Sequence, residues 1–402
     1  MRPHVAVTAV VAIVLASLSP AVTAAAPGPF EVFIEPAAGF GPAYSFIGSA
    51  KHSLDMTMYE LEDPTAEADL AADAARGVDV RILLDSAYAG AGANKDAAAA
   101  LSKAGAHVRW APSSVIVHQK TIVVDSSAAL VMTANLTSEY YSTSADFLVE
   151  DRQPADVATI VRAFDDDWGG DLADSPDQVP VRGQQGDLVF SPGSEGALVG
   201  LIESARSSVE TSNEEMGSAA VEGALEADAR RGVDVEVLMT ADSSWDGAFK
   251  QLGAAGVHVR LYPDLSSALY IHAKTIVVDG TKTYVGSINY STSSMVYNRE
   301  LGLITTSPAV TGPVAHAFAK WWASAPEVGP PAGTSGPTTT PPPGASGGTV
   351  SNKSPSGHYY RPGEYCPKRD LGKTVTDPYG TMTCEEPPGG GQPRWTSTGP
   401  AS

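Results

Sequence analysis

Two cysteines, Cys366 and Cys384, are all that 402 residues contain, and both stand near the C-terminal end. The body of the chain therefore needs no disulfide, and the pair is expected to close one in the tail of an exported protein. No carboxylate or Cys/His cluster has convincing ligand spacing, so no metal and no cofactor are expected. An apolar run long enough to span a membrane is also missing. The stretch from Val5 to Leu18 falls short of the roughly 20 residues a span needs. It follows one basic residue, Arg2, is broken by Ser and Pro, and ends in small residues. It reads as a secretory signal over residues 1–24, cleaved after Ala24, with no transmembrane segment left in the mature protein.

Basic residues are in short supply: 26 Lys and Arg face 46 Asp and Glu. From Glu327 onward the two signs balance at six each, so a net charge of −21 falls between Ala25 and Pro326. Such a body repels polyanions at long range, which disfavours nucleic acid as a partner unless a local basic cleft overrides the field.

What the chain does contain is a repeat of itself. The stretch "IVHQKTIVVDSSAALVMTANLT" returns 154 residues later as "YIHAKTIVVDGTKTYVGSINYS". Val117–Trp168 aligns with Ile271–Trp322 without a gap, and upstream "RGVDVRILLD" answers "RGVDVEVLMT". Two copies, each about one domain long, mean a duplicated domain and not a solenoid. The expected division is a signal peptide at 1–24, a first repeat at 25–175 and a second at 176–326. A Pro/Thr/Gly/Ser linker follows at 327–351, then a small disulfide-containing module with a flexible end at 352–402.

Within each copy strand-like and helix-like segments alternate. "SLDMTMYEL" and "VDVRILLD" read as strands around an Ala-rich helix that opens near Pro64. A second helix is expected from an Asn94 cap to Gly105, and a third from Pro154 to Gly169. The pattern predicts a mixed sheet flanked by helices in each half, an α/β fold. Strand alternation puts His118 and Lys120 on one face, and likewise Ser287 and Asn289. Asp125 and Asp279 have the opposite parity from their histidines, which marks them as structural.

A single His-x-Lys carries almost no information; on its own it is a strand edge with two solvated side chains. Two in register, each followed by Asp and then Asn, predict one site assembled between the halves. The residues suit a phosphodiester. One imidazole attacks phosphorus and the other protonates the leaving oxygen, with a phosphohistidine between the steps. Lys120, Lys274, Asn135 and Asn289 supply charge and donors to the phosphoryl oxygens. Asp146 and Glu300, each eleven residues after its Asn, are candidates to orient the imidazoles, the alternative being solvated loop charges. Glu60 and Glu215 occupy matching strand ends and are expected to be solvated.

The paired motif resembles the signature of the phospholipase D superfamily, His-x-Lys-(x4)-Asp-(x6)-Gly-Ser-x-Asn. The second copy matches in full through His272, Lys274, Asp279, Gly286, Ser287 and Asn289. The first keeps His118, Lys120, Asp125 and Asn135 but has Met132 and Thr133 in place of Gly-Ser. The resemblance implies two duplicated α/β halves related by a pseudo-twofold, with His118 as nucleophile. It also implies phosphate contacts from Ser287 and Thr133, Thr133 being the position where the motif departs. It leads us to expect a secreted, monomeric phospholipase D acting without cofactor on phosphoglycerides at a membrane or micelle surface, with the tail as a means of retention at the cell envelope. An extracellular metal-independent endonuclease and a cardiolipin-synthase-like phosphatidyltransferase are the alternative enzymes, and a binding module the non-enzymatic one.

Overall fold

In the computed structural model the described residues are 28–87, 90–170, 188–326, 372–377, 380–385 and 394–397. The signal segment, the linker and Cys366, and with Cys366 the disulfide expected to Cys384, lie outside them. Apolar alternation in the first half gives the strand Ser53–Met58 and, parallel to it, Asp79–Leu84. Between them runs the helix Pro64–Ala75, where Pro64 needs no donor in the first turn and the Asp63 carboxylate accepts from the Thr65 and Ala66 amides. The next helix, Lys95–Ala104, stops at Gly105, whose φ of 103° is a left-handed conformation that glycine adopts without strain. It leads to His107–Trp110, the third parallel strand.

The chain then reverses direction. Thr121–Val124 runs antiparallel to Ser53–Met58 on one side and Ala128–Met132 on the other. Ser144–Asp151 and Phe30–Glu35 complete that edge. The second half repeats the strand order as Leu188–Ser191, Glu300–Thr305, Lys282–Gly286, Lys274–Val278, Ser208–Ser212, Asp234–Thr240 and His258–Tyr262. Each half is thus the mixed sheet with flanking helices that the sequence predicts.

Each half has an apolar core of its own, and a third cluster joins them. Phe147, Val149 and Ile160 pack there with Leu301, Leu303, Phe318 and Trp321. The backbones interlock as well. Tyr270–Ile271 leaves the second half to pair in parallel with Ser144–Asp151 in the first sheet, and Val117 of the first half forms a parallel bridge with Arg299 of the second. Arg299 is buried and reaches Asp167 with two nitrogens, each at 2.9 Å. Removing one partner of such a pair costs about 3–5 kcal/mol, because the other charge is left buried and alone.

The motif aspartates hold backbone amides, although strand parity does not reach them, since neither they nor their histidines lie within the regular strands. Asp125 and Asp279 both turn with φ of 51° just past their strands. The Asp125 carboxylate accepts the amides of Lys51, His52 and Ser53, and Asp279 those of Arg206, Ser207 and Ser208. Each closes the loop entering its half's first parallel strand. Asn94, in contrast, precedes its helix without capping it through the side chain. Its amide instead accepts from the Leu61 amide and donates to the Tyr59 carbonyl, pinning the segment that carries Tyr59 and Glu60.

The Gly-Ser versus Met-Thr difference between the copies has a packing cause. Gly286 pairs with Gly302 across neighbouring strands, where the first half pairs Met132 with Leu148. Tyr284, which stands where the first half has Leu130, is fully buried over this glycine pair and accepts the Ile288 amide at 3.0 Å. A Cβ on Gly302 would lie 2.2 Å from the Tyr284 ring; one on Gly286 would lie 2.3 Å from the Gly302 Cα and 2.6 Å from the Leu301 carbonyl. Two large side chains in one half are exchanged for one larger ring in the other. Gly302→Ala is therefore expected to cost about 1–3 kcal/mol or more in denaturant unfolding. Tyr284→Leu should recover much of that loss for Gly302→Ala but little for Gly286→Ala, whose obstruction is backbone. Equal recovery in both would refute this account.

Candidate active site

Neither histidine lies inside a regular strand, contrary to expectation. Each sits on the segment leading into one, where the backbone leaves its own ladder to bond with the other half. The His118 and Gln119 amides both donate to the Arg299 carbonyl, at 2.9 and 3.0 Å, and the Ala273 amide donates to the Ala145 carbonyl at 2.8 Å. These bonds deliver each imidazole to an acid of the opposite half. His118 Nδ1 lies 2.9 Å from Glu300 Oε2, and His272 Nδ1 lies 2.8 Å from Asp146 Oδ1. The two acids are thus not solvated loop charges; both are buried. A carboxylate at Nδ1 fixes the proton there and leaves Nε2 turned to the site.

The hydroxyls expected to contact phosphate are engaged elsewhere. Thr133 Oγ1 donates to Asp146 at 2.5 Å and accepts the Phe147 amide, while Ser287 Oγ donates to Glu300 at 2.6 Å and accepts the Leu301 amide. Ser144 adds a second donor to Asp146, and Asn298 one to Glu300. Burial alone would raise both acids, but the facing histidine in each case, with lysine charge and these hydroxyls, holds them below the ordinary carboxylate range. In this structure Thr133 and Ser287 brace the acids, in keeping with Thr serving where Ser stands in the other copy.

Lys120 and Lys274 are both fully buried and donate to the carbonyls of their own motif histidines. Burial lowers Lys120 to about 7, with Glu300 opposing and Lys274 assisting. Burial likewise lowers His118, against the charge of Glu300. A neutral His118 ring with Nδ1 protonated carries its lone pair on Nε2.

Around this shared frame the halves differ. Tyr59 packs edge-on against His118, ring centres 4.6 Å apart, and lies 4.9 Å from the Lys120 ammonium. By strand register Leu61 corresponds to Met216, so the counterpart of Tyr59 is Glu214. Glu214 forms an ion pair with Lys274 at 3.0 Å and accepts from Tyr270 at 2.8 Å. Asn135 donates to Glu60 at 3.0 Å, whereas Asn289 faces Glu214 at 3.4 Å. Glu60 and Glu215, expected to be solvated, are instead desolvated enough to be raised to about 7. Nothing in the sequence marks Tyr59 and Glu214, because the repeat signals matched residues and these two are a mismatch. Among the described residues no cluster of His, Cys, Asp and Glu could hold a metal ion.

Comparison with known proteins matches this chain twice to the family described as "Cardiolipin synthase, PLD-like domain", over residues 44–168 and 198–322. A mitochondrial cardiolipin hydrolase of Danio rerio is 36% identical over 98 residues, 23% of this chain and 41% of the relative. Phospholipase D Z of Dictyostelium discoideum is 34% identical over 100 residues, 24% of each. The chain thus spans less than half the length of these curated relatives. Among solved structures, a phosphatidylserine synthase of Haemophilus influenzae Rd KW20 superposes with a TM-score of 0.58 at 14% identity, over 75% of this chain and 87% of the other. A polyphosphate kinase of Porphyromonas gingivalis gives 0.57 at 14% identity, over 73% and 47%. At such identity the likeness is one of fold. No described helix is long and apolar enough to cross a membrane.

The raised carboxylates make stability depend on pH. Glu35, Glu60, Glu210 and Glu215 each rise from 4.5 to about 7, chiefly through burial. A folded-state value above the unfolded one means stability that is complete below about 4.5 and lost as pH rises through about 7. The lowered His118 and Lys120 act in the opposite direction, but they are two groups against four. Urea unfolding should therefore show stability increasing from pH 8 to pH 5, with Glu60→Gln flattening the slope. A flat or inverted wild-type profile would contradict these burial assignments.

Proposed function

The chain belongs to the phospholipase D-like family, whose domain it carries twice, and from that premise we propose that it is a phosphodiesterase that cleaves phosphoglycerides to phosphatidic acid. The observation that carries the reading is the reciprocal pairing of two imidazoles with acids of opposite halves, each beside a buried lysine and an asparagine. His118 is the nucleophile. Its Nε2 attacks phosphorus, and the bond from phosphorus to the head-group oxygen breaks. That oxygen takes a proton from His272 Nε2, leaving a phosphatidyl group on His118. Water then attacks phosphorus, gives its proton to His272, and releases the His118 nitrogen. Glu300 stabilises the charge His118 carries while phosphorylated, and Asp146 holds His272 for both proton transfers.

Lys120 and Lys274 face the phosphoryl oxygens with Asn135 and Asn289. An arriving anion would hold Lys120 protonated where burial alone does not, so phosphate binding and lysine charge reinforce one another. Choice of lipid over nucleic acid rests on the acidic body, with a net charge of −21 between Ala25 and Pro326. Export by the signal segment and action as a monomer complete the proposal. Transfer of the phosphatidyl group to an alcohol is the second reading, favoured by the family's cardiolipin synthase description. It would use the same intermediate.

Purified protein given phosphatidylcholine vesicles should release head group without added metal, while plasmid DNA stays intact. Rapid DNA degradation with inert vesicles would replace this reading with the nuclease. His118→Ala and His272→Ala should each lower turnover by several orders of magnitude, and the double variant little further. Near-normal turnover in either single variant would refute the shared site. Ethanol should divert product from phosphatidic acid to phosphatidylethanol while head-group release persists. The absence of any ethanol adduct, together with no phosphate trapped on His118 in His272→Ala, would eliminate the covalent step.

A further inference from the structure

Three nitrogens of the second half lie around one oxygen of Glu214. Lys274 Nζ lies 3.0 Å from Oε2, Asn289 Nδ2 3.4 Å, and His272 Nε2 3.5 Å. These are the lysine, asparagine and histidine that the proposed mechanism assigns to the phosphodiester. The other oxygen, Oε1, accepts from the Tyr270 hydroxyl at 2.8 Å. The first half has no such arrangement: at the matching position stands Tyr59, and Asn135 turns to Glu60 instead. Glu214 keeps a quarter of its side chain exposed, so it lines the site without being sealed beneath it.

We propose that Glu214 is a specificity-determining residue whose carboxylate occupies a phosphoryl-oxygen position and makes the site accept phosphodiester monoanions while rejecting phosphomonoester dianions. The inference rests on the phosphodiesterase reading and names what that site excludes. A diester brings one negative charge and takes over Lys274 and Asn289 from Oε2, while Oε1 stays on Tyr270. One anion replaces another, and the displaced carboxylate remains nearby. A monoester or inorganic phosphate brings a second negative charge into a site where Lys120 and Lys274 already face three charged acids, Glu214, Glu300 and Asp146. Between charges a few ångströms apart in a partly dehydrated site, that repulsion is large enough to change affinity by roughly tenfold or more. The consequence for turnover is that cleavage generates its own release, because the product gains the charge the site resists. Burial would raise Glu214, but Lys274 and then His272 hold it well below its ordinary range, so it stays charged wherever the enzyme would operate.

Inorganic phosphate at about pH 8, where it is mostly a dianion, is the probe. Its affinity is read by calorimetry and by the rise it causes in melting temperature, for wild type, Glu214→Gln and Glu214→Asp. Glu214→Gln keeps the shape and removes the charge. It should bind phosphate at least about tenfold more tightly than wild type, and phosphate should raise its melting temperature more. Glu214→Asp keeps the charge and should bind phosphate as weakly as wild type. Phosphate should also inhibit diester hydrolysis more strongly in Glu214→Gln than in wild type. A carboxylate that merely neutralises Lys274 for stability would lower the melting temperature of Glu214→Gln with no such gain in affinity. Equal or weaker phosphate binding by Glu214→Gln overturns the proposal, as does tighter binding by Glu214→Asp. Wild-type inertness toward phosphodiesters would instead sink the activity reading, so the two failures are told apart.

Discussion

Each histidine of the site depends on an acid that its own half does not supply. His118 reaches Glu300, and His272 reaches Asp146. This crossing dictates what the interface must hold in register. The strands bearing the acids, Ser144–Asp151 and Glu300–Thr305, have to present them toward the partner half while also receiving its backbone. Tyr270–Ile271 pairs directly with Ser144 and Ala145, and Val117 bridges Arg299, the residue before Glu300. A slip of one residue at either pairing would turn the acid to the opposite face. Two lysines, two acids and the Arg299–Asp167 pair are all buried at or beside this seam. Charges taken out of water are tolerated only with partners in good geometry, so the arrangement penalises any other docking of the halves.

Much of this is written plainly in the chain. The gapless match of Val117–Trp168 to Ile271–Trp322 discloses the duplication, and the recurrence of His, Lys and Asn inside it marks one site. The structural role of Asp125 and Asp279 comes instead from left-handed turns past the strand ends, which strand parity does not describe. The crossing of the acids is not legible, because sequence spacing relates a residue to its own half and says nothing of which half it faces. The family resemblance implies phosphate contacts for the hydroxyls of Thr133 and Ser287, and spacing offers no check on that. A Ser or Thr two residues before an Asn has many acceptors in reach, and only the fold puts Asp146 and Glu300 among them. Glu60 and Glu215 look solvated in a sequence, since desolvation comes from elements packed over them.

The duplication supplies a symmetric frame, and the departures from symmetry are of two kinds. One is pure packing. Tyr284 over Gly286 and Gly302 replaces Leu130 with Met132 and Leu148, and the strand register is unchanged. The other alters the electrostatics of the site. An aromatic ring lies against His118 and Lys120, and a carboxylate lies against His272 and Lys274.

That second difference bears on how two matched His-Lys-Asn sets could divide one reaction. A nucleophile needs a free lone pair, and a phenol ring beside His118 adds no charge that would favour protonation. A proton donor needs the opposite. His272 has carboxylate oxygens 2.8 Å from Nδ1 and 3.5 Å from Nε2, so two negative charges stand beside the ring that is to hand over a proton. The paired His, Lys and Asn cannot break the tie, since they are the same in both copies. On the proposed mechanism the tie is broken one residue outside the matched set, where Tyr59 in one half stands for Glu214 in the other. A fold that uses symmetry to build a site thus assigns the two chemical roles through the positions where the symmetry fails.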